Sequence, residues 1–456
     1  MGWVARALAL FPVCGLALIS CESAPTPEAH DPPASKPGTR LSAIVLEVEG
    51  VRTPPLRWFD KLLNVECDFY EAGDKYRCLP DSAWIVYADP ACTQPLLEID
   101  DSVPDYTPVV GLGDEAFGHC GETLEGKPIT LRAFMAGKSL PPQTVYGPFD
   151  CEPSDSSQTL HEIVEEMPMG RFVSAKSVRV PIEGRFDGKV LYADDGARDF
   201  YALYDKQLGT DVSAWLGVYQ PTYTADMVDG FSDEACTQSL GLVGTGCSAE
   251  YGTQNFEYDG CTATADLWKL GKQVADRGYL QAGDDNICQT TYYPAWEAKK
   301  QVPWSSLVAA DRRVDGDGRI RTVWDTAVGG KKDLRWGGFY DANLGTDCYP
   351  TRITTGVSRC APHSAWSWEF LDSTCSTPIV DETGCVDVME SFRGQQEGFF
   401  RVTDTVEIDH HYEQTYSDGC QRVEDEGGKS VLVGGARIPY ENMATYVRLT
   451  LDEDTF

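Results

Sequence analysis

The sequence predicts an all-β protein built from three repeats of about 140 residues. Two observations carry this prediction. Short runs of β-branched and aromatic residues, such as residues 44–48 and 445–451, are bounded by Gly, Asp and Pro, which is typical of strands. One motif with a cysteine at its fourth position also recurs along the chain. Its copies are Asp89-Pro-Ala-Cys92, Asp233-Glu-Ala-Cys236 and Asp372-Ser-Thr-Cys375.

Composition limits the classes of function. The 456 residues include 38 basic and 71 acidic side chains, which leaves a net charge of -33 and disfavours binding to nucleic acid. The chain has 16 cysteines but no Cys-x-x-Cys pair, so zinc and iron-sulfur sites are not indicated. We therefore expect disulfides in an oxidising compartment, and the sequence predicts no metal site and no cofactor.

The first residues have the pattern of a secretory leader. Arg6 precedes an apolar run over residues 7–19, which is too short to span a bilayer, so residues 1–20 are predicted to be a signal peptide. The run ends in Leu18-Ile19-Ser20-Cys21, which resembles the lipobox of bacterial lipoproteins. The resemblance implies cleavage before Cys21, lipidation of Cys21 and attachment to a membrane. Glu22 follows in place of the aspartate that marks inner-membrane retention in that family, which favours the outer membrane or the cell surface.

The segment after the lipobox is predicted to be a tether. Residues 22–39 contain five prolines and little apolar material, so residues 21–40 should be extended and the folded body should begin near Leu41. Two further motifs divide the body into repeats over residues 41–175, 176–310 and 311–456. One contains Asp60, Asp205 and Asp341, followed four residues later by Asn64, Gly209 and Gly345; the other begins at Pro168, Pro303 and Pro439.

The repeated aspartates are predicted to be structural. One active site does not explain three copies of the same aspartate, whereas a turn-capping role does. Asn and Gly adopt positive φ at the lowest cost, so the position shared by Asn64, Gly209 and Gly345 is predicted to be left-handed.

The strand that opens each repeat occurs four times. Its copies begin at Leu41, Val173, Val308 and Ala444, so the chain begins and ends on the same element. Pairing between the two end copies would close a ring, and two small sheets per repeat would then give a six-bladed β-propeller. The alternative is a row of tandem β-sandwich modules.

The cysteines allow some pairings to be predicted. The second repeat has Val212 and Tyr219 where the first has Cys67 and Cys78 and the third has Cys348 and Cys360. Because both members are lost together, we expect the bonds Cys67–Cys78 and Cys348–Cys360. The further predicted bonds are Cys92–Cys120, Cys236–Cys247, Cys375–Cys385 and Cys261–Cys288, which leave Cys151 and Cys420 either unassigned or bonded to each other.

Ligand binding is predicted where the repeats differ. The second repeat presents Trp215, Tyr219 and Tyr223 in a stretch rich in Gln and Thr, and exposed aromatic side chains there would suit stacking on a sugar or anchoring a protein. The alternative is that these aromatic residues are ordinary strand residues that replace the packing of the missing disulfide.

Two short motifs carry weaker signals for a metal. In Asp409-His410-His411 the adjacent side chains of a strand would point to opposite faces and would not share an ion. Asp315-Gly-Asp317-Gly318 lacks the remaining ligands of a calcium loop and is better explained as a hairpin turn. No motif of the chain selects a catalytic residue.

The lipobox, the proline-rich tether and the Cys-Thr-Gln-Pro-Leu motif together resemble cysteine-rich repeat lipoproteins of myxobacterial-type Gram-negative bacteria. The resemblance implies a location in the cell envelope and implies no activity. The leading hypothesis is a lipid-anchored β scaffold that binds a glycan or a protein at the cell surface without catalysis. The alternatives are a surface glycan hydrolase that uses paired carboxylates and a structural component of the surface coat.

Overall fold

The computed structural model describes residues 35–452 in part. The segments outside the described residues are 1–34, 73–74, 100–103, 113–130, 148–150, 157, 216–217, 223, 232, 234–235, 238, 245–249, 259–262, 276–278, 283–286, 291–294, 328–332, 355–356, 382–386, 392–397, 416–418 and 453–456. The leader and Cys21 thus lie outside the described residues. None of the helices in the described part is long and apolar enough to cross a membrane.

The described residues are mainly β-strand and include no α-helix, so the prediction of an all-β fold is confirmed. The strands of the first third are β1 (Leu41–Val48), β2 (Val51–Arg52), β3 (Arg57–Asp60), β4 (Val65–Ala72), β5 (Lys75–Leu79), β6 (Ser82–Tyr87), β7 (Pro95–Ile99), β8 (Pro108–Leu112), β9 (Arg132–Leu140), β10 (Thr144–Tyr146), β11 (Pro153–Asp155) and β12 (Thr159–Met167).

The middle third contains β13 (Ser174–Glu183), β14 (Phe186–Ala193), β15 (Arg198–Asp205), β16 (Thr210–Trp215), β17 (Val218–Pro221), β18 (Thr224–Phe231), β19 (Ser239–Gly244), β20 (Tyr251–Tyr258), β21 (Ala263–Ala275), β22 (Tyr279–Ala282), β23 (Ile287–Thr290) and β24 (Ala295–Val302). The last third contains β25 (Val308–Asp315), β26 (Ile320–Ala327), β27 (Asp333–Asp341), β28 (Thr346–Thr354), β29 (Val357–Pro362), β30 (Ala365–Ser367), β31 (Glu369–Phe370), β32 (Pro378–Asp381), β33 (Val388–Ser391), β34 (Gly398–Thr415), β35 (Gly419–Ile438) and β36 (Tyr446–Leu451). Within the described residues, short 3₁₀ helices cover Met169–Arg171, Trp304–Ser306 and Tyr440–Asn442.

The largest sheet takes strands from all three thirds of the chain. Strands β1–β5, β13–β17, β25–β29 and β36 form one 16-stranded sheet, while β6–β12, β18–β24 and β30–β35 form sheets of seven, seven and six strands. The described residues thus form four sheets rather than six small ones, and they show no six-bladed propeller.

The two ends of the folded body are paired. Strand β36 runs antiparallel to β1 from Ala43 opposite Leu451 to Val48 opposite Tyr446. On its other side, the Cys360 N–H donates to the Ala444 carbonyl across 2.8 Å, next to the bridge between Arg359 and Thr445. The hydrogen-bonded order of the largest sheet therefore returns to its first strand, which removes two exposed sheet edges.

The turn after β3 shows why one aspartate motif recurs. Asp60 is buried, and its Oδ1 accepts the N–H groups of Leu62 and Leu63 across 3.0 and 3.1 Å. Asn64 then adopts a φ of 53°. Asp205 with Gly209 and Asp341 with Gly345 repeat this geometry after β15 and β27, so both the capping role and the left-handed position are confirmed.

The cysteine motif is also a turn. The N–H of Cys92 donates to the Asp89 carbonyl across 3.0 Å, and the Asp89 side chain accepts the Thr93 and Gln94 N–H groups. Cys92 has a φ of 50°, a conformation that an L-residue rarely adopts. Cys236 and Cys375 have the same φ and the same backbone hydrogen bond. Each copy of the motif therefore has a cysteine in this strained conformation at the same position of the turn.

Two disulfides match the prediction and the others correct it. Cys67–Cys78 and Cys348–Cys360 join neighbouring strands as expected. The predicted partners of the turn cysteines are wrong, because the bonds observed are Cys92–Cys151, Cys236–Cys288 and Cys375–Cys420. They also exclude the bonds Cys261–Cys288 and Cys151–Cys420. Cys120, Cys247, Cys261 and Cys385 lie outside the described residues.

The end of the predicted tether is docked rather than extended into solvent. Lys36 pairs with Arg198 through backbone hydrogen bonds of 2.7 and 2.8 Å. The Asp195 carboxylate accepts the N–H groups of Arg40 and Leu41. Residues 35–40 are therefore held against the β14–β15 hairpin, and the ordered body begins before Leu41.

Three of the apolar cores join successive parts of the large sheet, and others lie within the smaller sheets. One core contains Trp58, Cys67 and Cys78 from the first third with Val173 and Leu191 from the second. A second core lies around Phe186 and Tyr219, and a third joins Val48 to Phe339, Cys348 and Ala444. These contacts bury apolar side chains from both ends of the chain in common cores, which fixes the end strands in place.

Candidate functional site

The predicted aromatic site does not form as expected. Tyr219 is fully buried, and its ring centroid lies 4.9 Å from that of Phe186 in the core. Tyr219 stands opposite Ala214 in the sheet, as Cys360 stands opposite Pro350, so it fills the space of the missing disulfide. Trp215 ends β16 with its backbone paired to Val218, but its side chain and Tyr223 lie outside the described residues. Tyr219 is therefore a packing residue and cannot contact a surface ligand.

The motifs at residues 409–411 and 315–318 have the geometry that the sequence predicts. His410 Nδ1 lies 2.5 Å from Asp409 Oδ1, whereas His411 is buried on the other face of β34. The three residues therefore do not form one site. Asp315 ends β25 and Gly316 has a φ of 106°, so the Asp-Gly-Asp-Gly segment is the turn that leads into β26.

A cleft lies beside the 3₁₀ helix at Tyr440–Asn442. Its volume is about 410 Å³. It collects three arginines from three different strands or turns in a protein whose net charge is -33. We name it the arginine cleft; its lining residues are Arg319, Asn343, Leu344, Arg401, Ala436, Arg437, Ile438, Pro439, Glu441 and Asn442.

Arg319 lines the arginine cleft and is held in place by two carboxylates. Its Nη2 lies 2.8 Å from Asp341 Oδ2, and its Nη1 lies 3.1 Å from Glu49 Oε1. The hydrogen bond that Arg319 donates to the Asp341 carboxylate is the main reason that the pKa of Arg319 is raised. Since two carboxylates already offset its charge, Arg319 fixes the shape of the cleft more than it attracts an anion.

Arg401 and Arg437 are the other two arginines of the cleft, which Glu441 also lines. Arg401 lies on β34 and has an exposed side chain. Its Nη2 donates to the Leu344 carbonyl across 2.7 Å. Arg437 lies on β35 with its guanidinium 5.4 Å from the Tyr440 ring centroid. A Cβ at Gly398 would lie 2.8 Å from Arg437 Nε, so this glycine leaves the space that the guanidinium occupies. Both arginines are thus oriented by the protein before any ligand binds.

Arg437 also occupies a position at which the three thirds of the chain have different residues. It stands two residues before Pro439, and the corresponding residues before Pro168 and Pro303 are Glu166 and Gln301. Glu166 forms an exposed ion pair with Arg132. Sequence reasoning missed this departure, although the alignment of the proline motifs contains it.

The carboxyl groups with raised pKa values do not define a catalytic pair. Burial is the main cause of the raised pKa for Asp68, Asp199 and Glu390. Each is held by a donor of the protein: Arg57 contacts Asp68, Ser35 and Trp58 contact Asp199, and Ser364 contacts Glu390. None of these three carboxyl groups lines the arginine cleft.

Comparison with known proteins assigns the chain to a family. Residues 16–396, which are most of the chain, match the model of the Family of unknown function (DUF7481), and the chain belongs to that family. No curated protein and no solved structure matches the chain.

Proposed function

We propose that this protein is a lipid-anchored envelope protein whose disulfide-stapled β body binds an acidic glycan in the arginine cleft. The observation that carries the proposal is the placement of Arg401 and Arg437 in one cleft of a strongly acidic protein. Guanidinium groups bind carboxylate and sulfate groups through paired hydrogen bonds, which matches the acidic sugars of surface polysaccharides.

The size of the arginine cleft favours a glycan over a protein ligand. A volume of about 410 Å³ accommodates one or two sugar rings, whereas a stable protein interface needs a surface of about 800 Å² on each partner. The amides of Asn343 and Asn442 add donors and acceptors of the kind that sugar hydroxyls need.

In the proposed architecture, the body is a closed ring that a short tether joins to the lipid anchor. The pairing of β1 with β36 supports closure of the body, which resists opening at its ends. The lipobox supports a lipid anchor at Cys21 on the outer membrane or the cell surface, and the docking of residues 35–40 against β15 shortens the tether by those residues.

Binding can be tested with the mature protein produced in a Gram-negative host and kept in detergent. We expect calorimetry to show binding of oligogalacturonate but not of a neutral glucan of equal length. Arg437→Ala and Arg401→Ala should each weaken this binding about tenfold or more, since each removes charge-assisted hydrogen bonds. Arg422→Ala is the matched control, because Arg422 also lies on β35 but has a half-exposed side chain paired with Glu424.

The same assay separates the alternatives. Equal binding of acidic and neutral oligosaccharides, or equal affinity in wild type and Arg437→Ala, would contradict the proposal. Release of reducing ends during the incubation would instead support the hydrolase alternative. Labelled palmitate should be incorporated into the wild type and not into Cys21→Ser, and incorporation into both would refute the anchor.

A further inference from the structure

The sheet formed by β30–β35 brings three metal-ligating side chains to one face. In the pairing of β31 with β34, Glu369 stands directly opposite Glu413, and Phe370 stands opposite Tyr412. His411 lies two residues before Glu413 on β34, so both side chains point to the same face of the sheet. The sequence does not reveal this set, because Glu369 is 42 residues from His411 (411 minus 369) and meets it only through strand pairing.

The three side chains are close enough to share one ion. One ligand atom from each of Glu369, His411 and Glu413 lies within 4.8 Å of the other two. His411 Nε2 and Glu413 Oε1 are 3.5 Å apart. An ion with bonds of about 2.0–2.2 Å holds neighbouring ligand atoms roughly 3–4 Å apart, so small rotations of the glutamates complete the geometry.

Burial gives the cluster a fixed base and an open side. His411 is 5% exposed, whereas the side chains of Glu369 and Glu413 are 23% and 51% exposed. The imidazole is therefore held rigidly by packing, while the carboxylates can adjust and water can reach the remaining coordination positions. A site with three protein ligands and open positions is typical of a bound transition metal that also carries water.

The net negative charge of the cluster favours the binding of a cation. Two carboxylates directly opposite each other on paired strands repel. Lys429 offsets part of this repulsion, since its Nζ lies 2.9 Å from Glu369 Oε2. Two glutamates and one lysine leave one net negative charge beside the imidazole nitrogen, in a protein that attracts cations as a whole.

We propose that Glu369, His411 and Glu413 form a binding site for a divalent transition-metal ion, with Zn²⁺ as the ion that fits best. The imidazole nitrogen selects a transition metal over Ca²⁺ and Mg²⁺, which prefer sites made of oxygen alone. The ion takes over the role of Lys429 at Glu369, so the lysine competes with the metal for one carboxylate. This proposal is independent of the arginine cleft and of any glycan.

The neighbouring histidine provides a matched control. His410 lies on the opposite face of β34, where its Nδ1 contacts Asp409 and its ring packs edge-on against Tyr412 at 5.7 Å. His410→Ala removes the same kind of side chain from the same strand without touching the proposed site. It therefore measures adventitious binding of metal to surface histidines.

Calorimetric titration of the metal-free mature protein with Zn²⁺ tests the site. We expect one tight site in wild type and in His410→Ala, and an affinity reduced at least tenfold in His411→Ala and in Glu413→Gln. Lys429→Met should bind Zn²⁺ more tightly than wild type, because the competing ammonium group is gone. Mg²⁺ should give no heat at the same concentrations.

Several outcomes would overturn the proposal. An affinity for Zn²⁺ that is unchanged in both His411→Ala and Glu413→Gln would place the ion elsewhere. A folded wild-type protein that gives no heat with Zn²⁺, and whose Lys429→Met variant gives none either, would show that the cluster is only an ion-pair network. Loss of binding in His410→Ala alone would assign the ion to that histidine. Because Glu413 is half exposed, Glu413→Gln remains informative if His411→Ala fails to fold.

Discussion

Arg185 Nε lies 2.6 Å from Asp205 Oδ1, and the Asp205 side chain has no exposed surface. The same guanidinium donates from Nη1 to the Ser306 carbonyl across 2.8 Å, so one ion pair links the large sheet to a 3₁₀ helix. Arg40 with Asp60 and Arg319 with Asp341 repeat the arrangement, and Arg40 likewise donates to the Arg171 carbonyl. A buried carboxylate that caps a turn and pairs with an arginine is a structural element, which explains why it occurs three times.

Removing the buried carboxylate is expected to be costly. Asp205→Ala leaves the Arg185 charge and two turn N–H groups without their partner, so the free energy of unfolding should fall by about 3–5 kcal/mol. Denaturant titration measures this fall. Asp315→Ala, which removes the exposed partner of Arg313, should change stability by less than about 1 kcal/mol. Equal losses in the two variants would mean that Asp205 is not the structural residue described above.

The sequence predicted the features that depend on local conformation. The turn at Asp60 and Asn64 needs only a capping side chain and a left-handed residue, and both can be read from a few adjacent positions. The bond Cys67–Cys78 was predictable because Val212 and Tyr219 replace both of its members where the surrounding sequence motif recurs. The features that depend on strand pairing between distant segments were not predictable in this way. Arg401 and Arg437 are 36 residues apart (437 minus 401) and meet only because β34 and β35 form one long hairpin.

The bond Cys92–Cys151 illustrates the same limit. Its two cysteines are separated by 59 residues, and they approach because β10 pairs with both β6 and β11. Distance along the chain favoured Cys120 as the partner, but a turn cysteine with a φ of 50° directs its side chain according to the turn rather than toward the nearest cysteine in sequence. Pairing of strands, not loop length, therefore decides the bond.

The disulfide pattern gives the next prediction. Proteolysis without reduction, followed by mass spectrometry, should yield a peptide that links Cys92 to Cys151 and another that links Cys375 to Cys420. Replacing both Cys92 and Cys151 with Ala should cost about 4 kcal/mol of stability, against about 3 kcal/mol for Cys67 with Cys78, because the longer loop restrains the unfolded chain more. A linked peptide that contains Cys92 and Cys120 would contradict the observed fold of this region.

Tyr219 is predicted to matter for stability and not for binding. Tyr219→Ala removes a fully buried ring that packs against Phe186, so the cavity should lower the free energy of unfolding by about 3–5 kcal/mol. Tyr219→Phe keeps the ring and should cost much less. Neither variant should change the affinity for oligogalacturonate in protein that remains folded. A large loss of affinity with unchanged stability would restore Tyr219 as a ligand-binding residue.

The stability of the folded protein is predicted to depend on pH through Asp199. The Asp199 carboxyl accepts hydrogen bonds from Ser35 and Trp58, and burial is the main cause that raises its pKa to about 6. Because an unfolded aspartate has a pKa of about 3.9, the folded protein binds this proton more tightly than the unfolded chain does. The contribution of Asp199 to the free energy of unfolding is therefore greatest below about pH 4 and falls as the pH rises through about 6.

Asp199→Asn isolates this effect, because the amide oxygen still accepts from Trp58 and carries no charge. At pH 7 the variant should be more stable than wild type by up to about 3 kcal/mol, which is the free energy equivalent of the shift of about two pKa units. At pH 4 the two proteins should have the same stability, since the wild-type carboxyl is then protonated in the folded state. Denaturant titrations from pH 4 to pH 8 measure the difference, and a difference that stays constant with pH would show that Asp199 is not the titrating group.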